Sequence, residues 1–266
     1  MFSILVQNSI RMEKNDQNYG VALQGFIAIR KEAHERAEMI TQVLFGEHFK
    51  ILDDEGLWMY IRTVNDAYEG WLDRKSVVAD QAPKTPNPYL VCRNTTIQNV
   101  SGNYKVKLPA GASIPSYKQN SFVIAGQEFH ILHPEDVCKV GSIALEALID
   151  DFISVPYLWG GRCGFGTDCS GLTQYLCRAL GKNIPRDANE QSAMGDTLSF
   201  INEAQAGDLA FFDDTEGMIH HVGMIVAQDK ILHSSGRVRI DKIDQQGIFN
   251  LELGRYTHKL RVLKRV

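Results

Sequence analysis

Gly166-Thr-Asp-Cys-Ser-Gly-Leu172 joins a loop to an apolar run of helical spacing. A Gly-rich loop, Gly160 to Gly166, gives way here to Leu172, Leu176 and Leu180 at i, i+4, i+8, with Gly181 placed as a stop. The pattern predicts a helix beginning beside Cys169. A helix N-terminus carries about half a positive charge and unpaired N–H groups, which favours a thiolate there over one in mid-helix. Placement alone is ambiguous, because small cysteines also pack. Cys177, between apolar neighbours, reads as ordinary core.

A cysteine nucleophile needs a base, and the base needs an orienting partner. His221 begins the apolar run His-Val-Gly-Met-Ile-Val226, and His233 ends Lys230-Ile-Leu-His233. In an antiparallel pair of this length the start of one strand can face the end of the next. One ring could then fix the tautomer of the other. Strand alternation sends His220 to the opposite face from His221. A lone strand histidine is more often surface or satisfied core; two on paired strands beside a helix-start cysteine make that reading less comfortable.

Upstream, Ser142 to Phe152 has helical spacing. Downstream, Asp208-Leu-Ala-Phe-Phe212 and Arg261-Val-Leu263 join the histidine-bearing segments as strands. Helices first and antiparallel strands afterwards describe an α+β domain over residues 138–266. The first half reads as short strands: Phe26–Ile29, Gln42–Phe45, Phe49–Leu52, Trp58–Arg62 and Gly70–Leu72, with Glu32 to Arg36 as a helical turn between them. Short strands with tight turns point to a small barrel over 18–80, after an extension, 1–17. Three prolines between Pro83 and Pro88 read as a linker. Tyr89–Cys92, Tyr104–Leu108, Ala112–Ile114, Ser121–Ile124 and Glu128–Ile131 then form a second small barrel within 81–137.

The 266 residues carry a net charge of −4, with pI about 6.1, which gives no electrostatic reason to expect nucleic acid or an anionic membrane. Five cysteines at irregular spacing suit neither a disulfide framework nor a structural zinc site. Reduced thiols fit a cytoplasmic address, with the periplasm or cell envelope as alternative. Met1 to Val6 is too short for a signal-peptide core, Met12 could equally be the start, and no run approaches a membrane span.

Pro156-Tyr-Leu-Trp-Gly-Gly161, Asp168-Cys-Ser-Gly-Leu172, Ile184-Pro-Arg186 with Gln191, Gly207-Asp-Leu-Ala-Phe-Phe212, His221-Val-Gly-Met224 and His233-Ser-Ser235 together resemble, in order, the blocks of the NlpC-type peptidases. These are papain-like enzymes that hydrolyse peptidoglycan peptides. The resemblance implies Cys169 as nucleophile, His221 as base, His233 as orienting residue and Tyr157 as an oxyanion donor beside the Cys169 N–H. Trp159 either packs beneath the loop or lines the substrate site, and Arg186 and Asp187 shape the cleft. Residues 18 to 78 resemble a bacterial SH3-like barrel, on Ala37-Glu-Met-Ile-Thr-Gln42, Phe45-Gly-Glu47 and Tyr68-Glu-Gly-Trp71.

Two such barrels before a papain-like domain resemble the γ-D-glutamyl-L-diamino-acid endopeptidases that recycle free stem peptides. That resemblance implies a pocket for the free α-amine of L-alanine, made by Asp168, Ser170, Tyr68 and Glu38, with Glu47 as rival to Glu38. It implies no metal or organic cofactor, a stem peptide ending in lysine or diaminopimelate as partner, and a monomer. A non-catalytic wall-binding module, or an amidase or acyltransferase on the same scaffold, are the competing expectations.

Overall fold

The computed structural model describes residues 18–83 and 85–266, so the expected extension 1–17 lies outside the described residues. In the first unit a seven-stranded antiparallel sheet runs in the order Met39–Leu44, Phe26–Arg30, Glu69–Asp73, Trp58–Thr63, His48–Glu55, Tyr19–Val21, Val78–Asp80. Alternate residues point inward, as a half-buried strand requires. Ile29, Val43, Phe49, Ile61 and Leu72 are fully shielded. The segment read as a helical turn, Glu32 to Arg36, is instead an irregular loop. Its charged residues offer no apolar stripe for a helix to bury, and Lys31 N–H and Arg30 Nη1 tie it off on the carbonyls of Glu38 and Ala37.

The second unit has a four-stranded sheet, Tyr104–Leu108, Thr95–Asn99, Gln127–Ile131, Ser121–Ile124, and a three-stranded one, Ser113–Ile114, Tyr89–Val91, Val137–Lys139. Thr95–Asn99 is a central strand absent from the sequence reading, because only Ile97 in it is apolar. Phe45 of the first unit packs edge-on against Phe129 and Phe122, so the two cores interlock. Cys92 and Cys138 form a disulfide, where free thiols had been expected. The pairing of Leu90 with Cys138 brings together two cysteines 46 residues apart in sequence.

The C-terminal unit begins with helix α1 (Leu145–Phe152), followed by α2 (Cys169–Ala179) and the short α3 (Ala188–Ser192). Gly181 ends α2 at φ +86°. The strands follow in the order Asp196–Leu198, Arg255–Arg265, Leu209–Asp213, Ile219–Ala227, Lys230–Ser235, Arg237–Ile243, Gly247–Asn250. The last also pairs with Arg255–Arg265, closing the sheet on itself. α2 packs on one face through Leu172 and Leu176, with Phe211, Val222 and Leu232 beneath. Taken whole, the described chain is mainly β: helices occupy three short segments, fewer than the α+β expectation implied.

Buried charge holds the first unit to the C-terminal one. Glu47 accepts from Arg162 at 2.8 Å and from Arg178 at 2.7 Å, Arg186 Nε reaches Thr41 Oγ1 at 2.9 Å, and Gln174 Nε2 reaches Asp66 at 2.8 Å. At Gly160, φ is +76° and a Cβ would sit 2.4 Å from the Met39 carbonyl, so only glycine lets this loop lie against the barrel.

Candidate active site

Strand register places the histidines. Gly223 pairs with His233, and His233 pairs with Arg239. His221 is two residues before Gly223 and Asp241 two after Arg239, so His221, His233 and Asp241 share a face and run diagonally across three strands. The histidines are thus diagonal neighbours rather than directly opposed. Gly223, directly across, leaves the room: a Cβ there would meet His233 Cβ at 2.9 Å and Ile231 at 2.7 Å. His221 Nε2 lies 2.9 Å from His233 Nδ1, and His233 Nε2 lies 3.1 Å from Asp241 Oδ2. Arg239 Nη2 donates to Asp241 Oδ1 at 2.9 Å. Burial pushes the Asp241 carboxyl up, but hydrogen bonds and charge from His233 and Arg239 outweigh it and hold it below the usual range.

Asp168 is the N-cap of α2, accepting the Gly171 N–H at 2.7 Å, and it sets Cys169 as the first helical residue. Cys169, Tyr157 and His221 line one cleft of about 860 Å³. Burial, with the Asp168 charge adding to it, pushes the Cys169 thiol up to about 11, against the N–H groups of Val222 and Ser170. Burial also drives His221 well below the usual histidine range, helped by His258 and His233. Both shifts favour the neutral thiol and the neutral imidazole over the thiolate–imidazolium pair. The thiolate expected from the helix start is outweighed, since a terminus contributes about 0.3–1 kcal/mol while burying an ion costs several. Burial, Cys169 and Asp168 raise the Tyr157 phenol to about 12, so it stays protonated and able to donate.

His220 is a correction. The register slips between Phe212 and Asp213, which face His221 and Ile219, so His220 sits at a bulge. Alternation fails there, and His220 lines the cleft alongside His221. His258, absent from the sequence reading, stacks on the His221 ring at 4.1 Å between centroids. His221, His233 and His258 bring ring nitrogens within 4.8 Å of one another, a possible metal set. Both His233 nitrogens are already engaged, however, so the cluster fits a proton relay better.

At the other end of the cleft, the first unit contributes Lys31, Glu38, Ile40 and Tyr68. Trp159 does not pack beneath its loop: it is 61% exposed, and its Nε1 donates to Glu38 at 2.7 Å. Tyr68 donates to Asp187 at 3.2 Å. Asp168 is already saturated, accepting from Arg186 twice, from Gly160 N–H, Gly171 N–H and Ser170 Oγ. Arg186, 2% exposed, also donates to Ser170 Oγ at 2.7 Å. Glu47 lies outside this cleft, committed to the two arginines of the seam, because both its oxygens are already paired in a buried site.

A cysteine at a helix start, a buried histidine pair and a groove with a protonated tyrosine define a cysteine hydrolase of papain-like build. Residues 154–253 match the NlpC/P60 family, and residues 29–77 match the bacterial dipeptidyl-peptidase SH3 domain. The chain is 30% identical over 214 residues to a gamma-D-glutamyl-L-lysine dipeptidyl-peptidase of Bacillus subtilis strain 168, covering 73% of this chain and 71% of the relative. It is 28% identical over 230 residues to a protein of that name from Bacillus cereus, covering 73% of this chain and 66% of the relative. The chain thus spans about two thirds of the length of these relatives. A crystal structure of an NlpC/P60 family protein from Bacillus cereus superposes with a TM-score of 0.77 at 21% identity, covering 93% and 99% of the two chains. The chain belongs to the NlpC/P60 family of cell-wall peptidases and is a hydrolase.

Proposed function

We propose that this enzyme cleaves the γ-D-glutamyl–L-diamino-acid bond of peptidoglycan stem peptides carrying a free N-terminal L-alanine, in murein peptide recycling or turnover. The observation that carries the proposal is one cleft lined both by Cys169 and His221 and by Glu38 and Tyr68 of the SH3 unit. His221 takes the Cys169 proton as sulfur attacks the γ-carbonyl carbon. The oxyanion draws on the Cys169 N–H and the Tyr157 hydroxyl, each such donor contributing about 3 kcal/mol to kcat. His221 returns the proton to the departing amine of lysine or diaminopimelate, leaving a thioester. Water, deprotonated by His221, then releases L-Ala-γ-D-Glu and restores the thiol.

An ammonium at the closed end requires a carboxylate free to meet it. Glu38 and Asp187 are exposed there and keep room for a further donor beside Trp159, Lys31 and Tyr68, whereas the buried Asp168 spends its oxygens on Arg186 and backbone N–H groups. The reading therefore assigns the amine chiefly to Glu38, Tyr68 and Asp187, with Asp168, Ser170 and Arg186 as the rigid floor. Residues 81–137 we take as a second SH3-like unit that braces α2 from behind, where Tyr175 donates to the Cys92 carbonyl at 3.1 Å. The Cys92–Cys138 bond favours an oxidising cell-envelope address over the cytoplasm expected from the cysteine count. Thiol titration of the denatured, unreduced protein should then find the three free cysteines, 163, 169 and 177. Five titrating thiols would return the proposal to the cytoplasm.

The test is product analysis by mass spectrometry on L-Ala-γ-D-Glu-L-Lys, its diaminopimelate counterpart, the N-acetylated forms and intact sacculi, with Cys169→Ala as control. Release of L-Ala-γ-D-Glu from free peptides only, lost in the control, supports both chemistry and amine pocket. Equal cleavage of acetylated peptides or sacculi overturns the pocket and keeps the cysteine peptidase.

A further inference from the structure

Asp241 has no place in the Cys–His–His set, yet it is 4% exposed and lies on the same diagonal as both histidines. A carboxylate only accepts hydrogen bonds, so the 3.1 Å contact requires the proton of His233 to sit on Nε2. His233 Nδ1 is then a bare acceptor, and the 2.9 Å contact can form only if His221 carries its proton on Nε2. A neutral imidazole has one N–H, so His221 Nδ1 is left bare as the basic nitrogen for the Cys169 proton. We infer that Asp241 is a positioning residue that fixes, through His233, which nitrogen of His221 is the base. The inference rests on Cys169 and His221 being the nucleophile and base.

Arg239 explains how Asp241 keeps its orientation. It donates to Asp241 Oδ1 at 2.9 Å and to Glu252 at 2.9 Å, and its Nε lies 2.8 Å from Oδ2, so the guanidinium flanks both carboxylate oxygens. The buried negative charge has a second function. When His221 takes the Cys169 proton it becomes an imidazolium, which the Asp241 charge stabilises electrostatically through the oriented His233. The proton itself stays on His221 until the leaving amine receives it, and no proton need reach the carboxylate. Asparagine at 241 keeps the shape but offers an N–H₂ as well as a carbonyl, so it can hold either ring form of His233. With Nε2 of His233 bare, Nδ1 carries the proton and can no longer accept from His221.

Two measurements test this. In the Cys169→Ala protein, ¹⁵N NMR of the imidazoles should show His233 and His221 both protonated on Nε2 near neutral pH. Protonation of His233 on Nδ1 would overturn the inference, and needs no variant of Asp241. In the active enzyme, Asp241→Asn should lower kcat at least about 10²-fold with KM within about threefold, the wrong tautomer in a triad costing up to about 10⁴-fold. The same substitution placed on His233→Asn should cost less than about threefold further, because the relay is already broken. Equal losses in both backgrounds, or no loss of kcat in the single variant, would overturn a role exercised through His233. If the peptide assay fails altogether, the NMR arm still decides the tautomer while the reading of the substrate falls separately.

Discussion

On one wall of the cleft, Cys169, His221, His233 and Asp241 come from one helix and three neighbouring strands of a single unit, none more than 8% exposed. On the other, Glu38 and Tyr68 come from a separate barrel, Glu38 exposed and Tyr68 half-buried. The first wall is fixed by strand register and a buried hydrogen-bond chain. The second is fixed by how one unit docks on another, through Glu47, Thr41 and Asp66. On the proposed reading, chemistry is set within one unit and selection of the peptide end across a seam. Loss of the seam should spoil selection without moving the relay.

The largest expected effect breaks that seam. Glu47→Gln leaves Arg162 and Arg178 buried without their counter-charge, a change that typically costs about 3–5 kcal/mol. Urea unfolding should show the loss, and the surviving folded enzyme should discriminate poorly between free and N-acetylated peptides while retaining kcat. Retained discrimination in a clearly destabilised variant would mean that the barrel wall is held by other contacts.

Smaller, and confined to the second wall, are Glu38→Gln and Asp187→Asn. Each removes one charge facing the peptide amine and should lower kcat/KM for the free peptide about 10- to 100-fold, equivalent to about 1.4–2.7 kcal/mol. Steady-state kinetics on the N-acetylated peptide should change little. If Asp168→Asn alone produced the selective effect and Glu38→Gln did not, the floor rather than the barrel would be the amine site.

The catalytic wall was the more legible of the two. Cys169, His221 and His233, which the structure brings together at one cleft, sit in short blocks whose residue types and order suggest the chemistry proposed for them, and the glycine opposite His233 lies in one of those blocks. Asp241 was not legible. It lies in Arg-Val-Arg-Ile-Asp-Lys-Ile243, where alternating charges read as a solvated surface, and only the register with His233 turns it inward. Glu47 was misplaced for the opposite reason. A turn glutamate resembles a ligand-binding acid until Arg162 and Arg178, 115 and 131 residues away in sequence, are seen to close on it. Long-range pairing of charges leaves no local signature.

The smallest expected effect concerns the first wall's dependence on pH. Burial, and the neighbouring His233 and His220, lower His258 from 6.5 to about 4. Between those values the unfolded chain binds a proton that the folded one refuses, so stability is full above about 6.5 and declines as pH falls toward 4. Since His258 keeps some access to solvent, its share after screening is on the order of 1–2 kcal/mol. His221, buried and also lowered, adds in the same direction. His258→Phe retains an aromatic ring against His221 but has no proton to take up. The difference in unfolding free energy between pH 7.5 and pH 5 should therefore shrink in this variant without vanishing, as read by urea titration at both values. An unchanged difference would mean that His258 meets water more freely than its stacking implies, and that the wall's acid sensitivity belongs to His221 alone.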